Sequence, residues 1–187
     1  QYNTPLAEAF AASDLNQSNR EGYALVLKPN LPYRTKAAEV LSASSNDNIQ
    51  TVMGTGTVML SHLDAARHVV FLETLNAPSL ADIHRQTPRM HEHKVTDLIL
   101  QPVYNAVQAM HSRDIVHGSI NTKNVYFSEN TCVLGECLSA PAGYYQDPLY
   151  EPLERMMAND NGRGHGDMTV DVYAIGVLDN QLFFFFH

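Results

Sequence analysis

Four groups of residues have types and spacings that could do chemistry. Ser119 carries a hydroxyl that would attack a substrate only if a histidine or lysine base were aimed at it, and the nearest candidate is His117. His91-Glu92-His93, with His84 nearby, suggests zinc. Residues i and i+2 of a helix point to different faces, however, and no third ligand stands three or four positions away, so a solvated polar segment and no metal are expected. Gly54-Thr55-Gly56 could cradle a phosphate, but a lone Gly-x-Gly inside Ile49–Leu60 reads as a bend in a strand. Cys132 and Cys137 lie five apart, which is neither a disulfide framework nor a paired-thiol metal spacing; free thiols and a reducing, cytoplasmic setting are expected.

The stretch that must position such groups is Asp114-Ile-Val-His-Gly-Ser-Ile-Asn-Thr-Lys-Asn-Val-Tyr-Phe127. It resembles the catalytic loop of protein kinases, His-Arg-Asp-Leu-Lys-x-x-Asn, in which the Asp accepts the substrate proton and the Asn holds a metal ion. His117 and Asn124 stand in register with that pattern. Gly118 replaces the Arg, Ser119 the catalytic Asp, and Asn121 the Lys that contacts the transferring phosphate. In that family the histidine packs inward, so Ser119 is not expected to be a nucleophile.

Other motifs follow in the same order. Tyr23-Ala-Leu-Val-Leu-Lys28 reads as a buried strand ending in lysine and resembles the third strand of a kinase N-lobe. Helix formers over residues 33–43 carry Glu39, which the resemblance makes the partner of Lys28. No glycine-rich loop precedes the strand; residues 4–16 read as a short amphipathic helix or arm rather than a strand-glycine-strand unit. His68–Leu75 reads as a strand, with Leu72, Glu73 and Leu75 at the implied hinge. Apolar residues from Val95 to Met110 predict a helix feeding the loop, and a hairpin of 125–127 with 131–134 follows it.

Where kinases place Leu-Gly-Asp-Phe-Gly the chain has Leu134-Gly135-Glu136-Cys137, so Glu136 stands at the metal-binding aspartate. Its extra methylene displaces the carboxylate by more than about one ångström, which phosphoryl transfer does not tolerate. Glu151-Pro152-Leu153-Glu154 resembles the Ala-Pro-Glu motif, with Glu154 in the glutamate's place. Thr169–Leu178 resembles the next kinase helix, whose aspartate, here Asp171, accepts backbone N–H groups of the catalytic loop.

Composition sets the frame. At 187 residues with 44% hydrophobic and 17% charged residues, the chain has the makings of a soluble globular protein with one good core and a small second lobe. A net charge of −8 with no Lys/Arg cluster argues against nucleic acid. No run reaches the roughly 20 apolar residues of a membrane span; the densest is Leu182–Phe186. A start at Gln1 suggests a piece of a longer protein.

The resulting expectation is an α+β, kinase-like two-lobed fold. It comprises an N-terminal arm (1–22), a reduced N-lobe (23–75) and a truncated C-lobe (76–187). The resemblance implies a degenerate, minimal kinase: a pseudokinase acting as a scaffold or regulator. It would have no catalytic residue and no cofactor, with Lys28, Glu39, Asn124 and Glu136 as remnants and His117, Asp171 and Glu154 as structural groups. The alternative is an atypical enzyme that holds Mg-ATP with Lys28, Asn124 and Glu136. Partners would be a protein or neighbouring domain, and a second copy covering the bared C-lobe face beside Phe183–Phe186.

Overall fold

The computed structural model describes residues 6–14, 20–29, 31–60, 65–86, 92–128, 130–144, 146–158 and 166–186. The fold is mixed α+β and divides into two compact units. The first takes residues 1–46, 50–75 and 138–141; the second takes 47–49, 76–137 and 142–187.

The first unit is a four-stranded antiparallel sheet, β1 (Ala7–Asp14), β2 (Arg20–Leu27), β3 (Val52–Leu60) and β4 (Ala65–Glu73), in the order β1-β2-β4-β3. β2 and β4 are central, which is why Tyr23–Leu27 and Val69–Val70 are apolar and buried on both faces. Helix α1 (Thr35–Ser42) buries Ala37, Ala38 and Leu41.

The segment read as a helix or arm is strand β1, paired with β2 from Ala7↔Leu27 to Asp14↔Arg20. Alanine favours a helix in isolation, but the backbone groups of β2 on that side require a ladder partner, and small side chains lie close against it. Pairing overrides propensity, and the arm belongs to the sheet.

In the second unit, α2 (Leu80–Gln86) is followed by α3 (Glu92–Val95), a π-helical turn (Thr96–Leu100) and α4 (Gln101–His111). Pro102 lacks an N–H and its ring crowds the carbonyl four residues back, which accounts for the widened turn just before it. Val95, Ile99, Val103, Val107 and Met110 still form one buried stripe. The first four of these pack with Ile120, the β5–β6 hairpin (Val125–Ser128 and Thr131–Leu134) and α6 (Met168–Phe186) into a single core. A 3-10 turn (Pro148–Tyr150) and α5 (Leu153–Met157) lie between hairpin and α6.

Cys132 is fully buried in that core, and desolvation pushes its thiol from an ordinary 9.0 up to about 12. The folded state therefore keeps a proton that the unfolded chain releases. This contribution to stability is complete below pH 9.0 and is lost as pH rises toward 12. Cys132→Val is expected to flatten the fall in urea midpoint over that window; an unchanged profile would place the alkaline sensitivity elsewhere.

Candidate functional site

Helix α4 ends in a left-handed turn at Asp114 (φ 59°), a conformation that aspartate tolerates, with the Ile115 N–H returning to the Met110 carbonyl at 3.1 Å. Ile115 and Ile120 are buried, so residues 115–120 are tethered at both ends.

Between these anchors the loop is held from α6. The Asp171 carboxylate, 0% exposed, accepts the His117 N–H on Oδ2 and the Gly118 N–H on Oδ1, each at 2.7 Å. His111 Nε2 reaches Oδ2 at 2.8 Å. A buried carboxylate with three donors is a well-satisfied anion, and it fixes the two residues at the head of the loop.

The His117 ring has no free nitrogen. Nδ1 accepts the backbone N–H of Ser119 at 3.2 Å, so Nε2 carries the proton and donates to the Gly135 carbonyl at 3.0 Å. His117 cannot serve as a base for the Ser119 hydroxyl, whose oxygen lies 3.4 Å from Asn124 Nδ2.

The two asparagines act as braces. Asn124 Nδ2 donates to the carbonyls of Ser119 and Glu136, both at 2.9 Å. Its Oδ1, the atom a metal would need, sits against Gly135, where any Cβ would fall onto it and stand 2.9 Å from the Tyr126 ring. Asn121 Nδ2 contacts the Ser119 carbonyl and Gln146 Oε1, each at 3.3 Å, while its Oδ1 accepts the Lys123 N–H at 3.0 Å. Gly135→Ala is expected to displace the Asn124 amide and cost about 2 kcal/mol, read from urea unfolding; a neutral substitution would show that this brace carries little.

At Gly118 the backbone leaves no room for a side chain. Its φ is +73°, and a Cβ there would collide with Gly143 N and lie 2.7 Å from Ala142 Cα. The chain at 142–143 occupies that space, with the Gly143 N–H bonded to the Gly118 carbonyl at 3.1 Å. Gln146 adds a bond to the Ile120 carbonyl at 3.1 Å. The Tyr150 hydroxyl accepts the Thr122 N–H at 3.2 Å and donates to Gln181, and burial pushes its ionisation upward. His111, Gln146, Tyr150 and Gln181 were not singled out in the sequence, because each acts through a partner 26 to 60 positions away.

Several sequence readings need correction. Lys28 lies one residue past β2, with its side chain exposed and its N–H bonded to the Leu6 carbonyl at 3.0 Å. Glu39 lies on the exposed side of α1 because Ala37, Ala38 and Leu41 take the buried one. Among the described residues no ion pair joins Lys28 to Glu39. Glu154 is exposed; the buried glutamate is Glu151, paired at 3.5 Å with Arg155 one helical turn on. That arginine, packed against Gly143, comes from the same segment, so the buried glutamate needs no cation from a later helix.

The proposed hinge residues lie in or next to β4. Leu72 is buried, Leu75 is half-buried, and both backbone groups of Glu73 are engaged: its N–H by the Thr51 carbonyl at 3.1 Å, its carbonyl by Gln50 Nε2 at 2.7 Å. Glu136 is half-buried, and its carbonyl receives Asn124. His91 lies outside the described residues, while His93 is exposed and His84 is on α2. Among the described residues, no group of three or more His, Cys, Asp or Glu side chains could hold a metal ion, and no helix is long and apolar enough to cross a membrane.

Comparison with known proteins adds no relative: no protein-family model and no curated sequence matches the chain.

Proposed function

We propose that this chain is a catalytically inactive kinase-like domain, a pseudokinase, that works by binding protein. The observation that carries the kinship is the grip of Asp171 on the His117 and Gly118 N–H groups, the task the kinase resemblance assigns to that aspartate. The order of strand, helix, two strands, connecting segment and loop supports it.

Inactivity is supported by what the loop's side chains do. Phosphoryl transfer depends on a positioned base and on charge that stabilises the moving phosphoryl group. Gly118, Ser119 and Asn121 supply neither, and the amides of Asn121 and Asn124 are occupied in holding the loop together.

Titration with ATP and magnesium is expected to leave the thermal midpoint unchanged, whereas a binder at 100 times its Kd would gain about 2.7 kcal/mol. A clear upward shift abolished by Lys28→Ala would instead favour the nucleotide-binding alternative with Lys28, Asn124 and Glu136.

A protein-binding surface is available on α6. Its buried stripe is Val170, Ala174, Leu178 and Leu182, yet Val172 is 63% and Phe183 50% exposed, with Tyr173 beside them. A helix apolar on more than one side is ordinarily covered. Val172→Glu is expected to leave stability within about 0.5 kcal/mol while removing whatever protein binds there; retained binding would move the surface elsewhere.

A further inference from the structure

The sheet of the first unit has an edge that the pseudokinase reading leaves unused. β3 closes the strand order and, among the described residues, pairs with β4 alone. Every second residue of β3 therefore turns its N–H and C=O to the open side. Natural edges of this kind are ordinarily guarded by charge or proline, but the nine residues Val-Met-Gly-Thr-Gly-Thr-Val-Met-Leu contain neither. The opposite edge, β1, carries Glu8 and ends on Asp14.

Two glycines, Gly54 and Gly56, interrupt β3. A Cβ at Gly54 or Gly56 would meet nothing within 4 Å. Both lie on the sheet face of Val58 and Leu60, which pack against the buried Ala24, Val26 and Val69. Glycine inside a strand weakens it and marks places where another backbone approaches closely. Thr55, Gly56 and Thr57 are exposed, and Met59 is 68% exposed. The irregular register between Val52 and Gly54 sets the limit of the regular stretch.

We propose that β3 is the pairing edge for a second copy of this chain, the two strands running antiparallel about a two-fold axis at Thr57. In that register Val58 of each copy lies opposite Gly56 of the other, Leu60 opposite Gly54, and Met59 opposite Thr55. Each glycine thus faces a larger side chain that fills the open space above it, the remedy for glycine in a paired strand. The pattern of two glycines followed by two bulky residues complements itself, which points to a second copy rather than a foreign strand. Each chain carries a net charge of −8, so self-pairing needs an edge that sets no like charges opposite one another, and β3 meets that need.

Sedimentation equilibrium on the 187-residue chain is expected to show a reversible monomer–dimer equilibrium between about 1 and 200 µM. Thr57→Lys, on an exposed position, sets two ammonium groups face to face and weakens the dimer at least about fivefold, with the thermal midpoint confirming that the monomer still folds. Val172→Glu on α6 leaves the dimer unchanged. Thr57→Cys forms a disulfide-linked dimer under mild oxidation, since residues at the axis face their own counterparts; Met59→Cys, though more exposed, links far less. A strictly monomeric chain overturns the proposal. So does a dimer indifferent to Thr57→Lys, one broken by Val172→Glu instead, or equal cross-linking at positions 57 and 59.

Discussion

Replacing Asp171 by alanine is expected to cost about 3–5 kcal/mol, a large share of the roughly 5–15 kcal/mol that holds a typical domain folded. The carboxylate is fully buried and takes three donors, from His117, Gly118 and His111. Alanine would strand two backbone N–H groups with no solvent access, at about 1–3 kcal/mol each. Asp171→Asn separates charge from shape. The amide oxygen can still accept one N–H, but its NH2 group then faces a second donor, so a smaller loss of about 2 kcal/mol is expected. Urea unfolding checks both. A loss below about 1 kcal/mol for the alanine variant would mean that the loop is anchored by something other than this carboxylate, and would remove the main support for kinase kinship.

The second large effect concerns a substitution toward the kinase pattern that the loop resembles. Gly118→Arg places in the loop the residue that the kinase pattern has there, yet it is expected to destabilise by about 3 kcal/mol or more. An L-residue at φ +73° costs about 1–2 kcal/mol, and its Cβ would also collide with the backbone of residues 142–143. Gly118→Ala isolates the backbone and Cβ part of that cost and should account for most of it. Even with Ser119→Asp added, no ATP turnover is expected, because the neighbouring chain occupies the space. A stable double variant that transfers phosphate would refute both the packing account and the inactive reading.

Legibility in the sequence followed the range of the interaction. The loop around His117 and Asn124 and the helix carrying Asp171 were readable, because short-range spacing is repeated in the fold. The stripe from Val95 to Met110 was readable for the same reason, even across the π-helical turn. The Ala-rich strand β1 was not, because its conformation is decided by pairing with β2 rather than by its own preference. The Lys28–Glu39 pair failed at the strand end: one step past Leu27 the side chain is exposed, and three small or apolar residues of α1 leave Glu39 on the other side. Glu154, which the Ala-Pro-Glu spacing singles out, is exposed, whereas Glu151 three positions earlier is buried, a difference that spacing alone does not reveal. Gln146, Tyr150 and Gln181 left no local signal, since ordinary polar residues become braces only once distant segments meet.

The allocation of chain between the two units bears on how the protein is made. All four strands of the sheet lie within the first 73 residues, but the unit they belong to also claims residues 138–141. A nascent polypeptide emerging from the ribosome would thus have every strand of the sheet available before the following helices are made, while the last four residues of the same unit would leave the exit tunnel only later. Neither unit corresponds to one continuous stretch of message, so halving the reading frame at any single codon would yield two incomplete products rather than two independent folds.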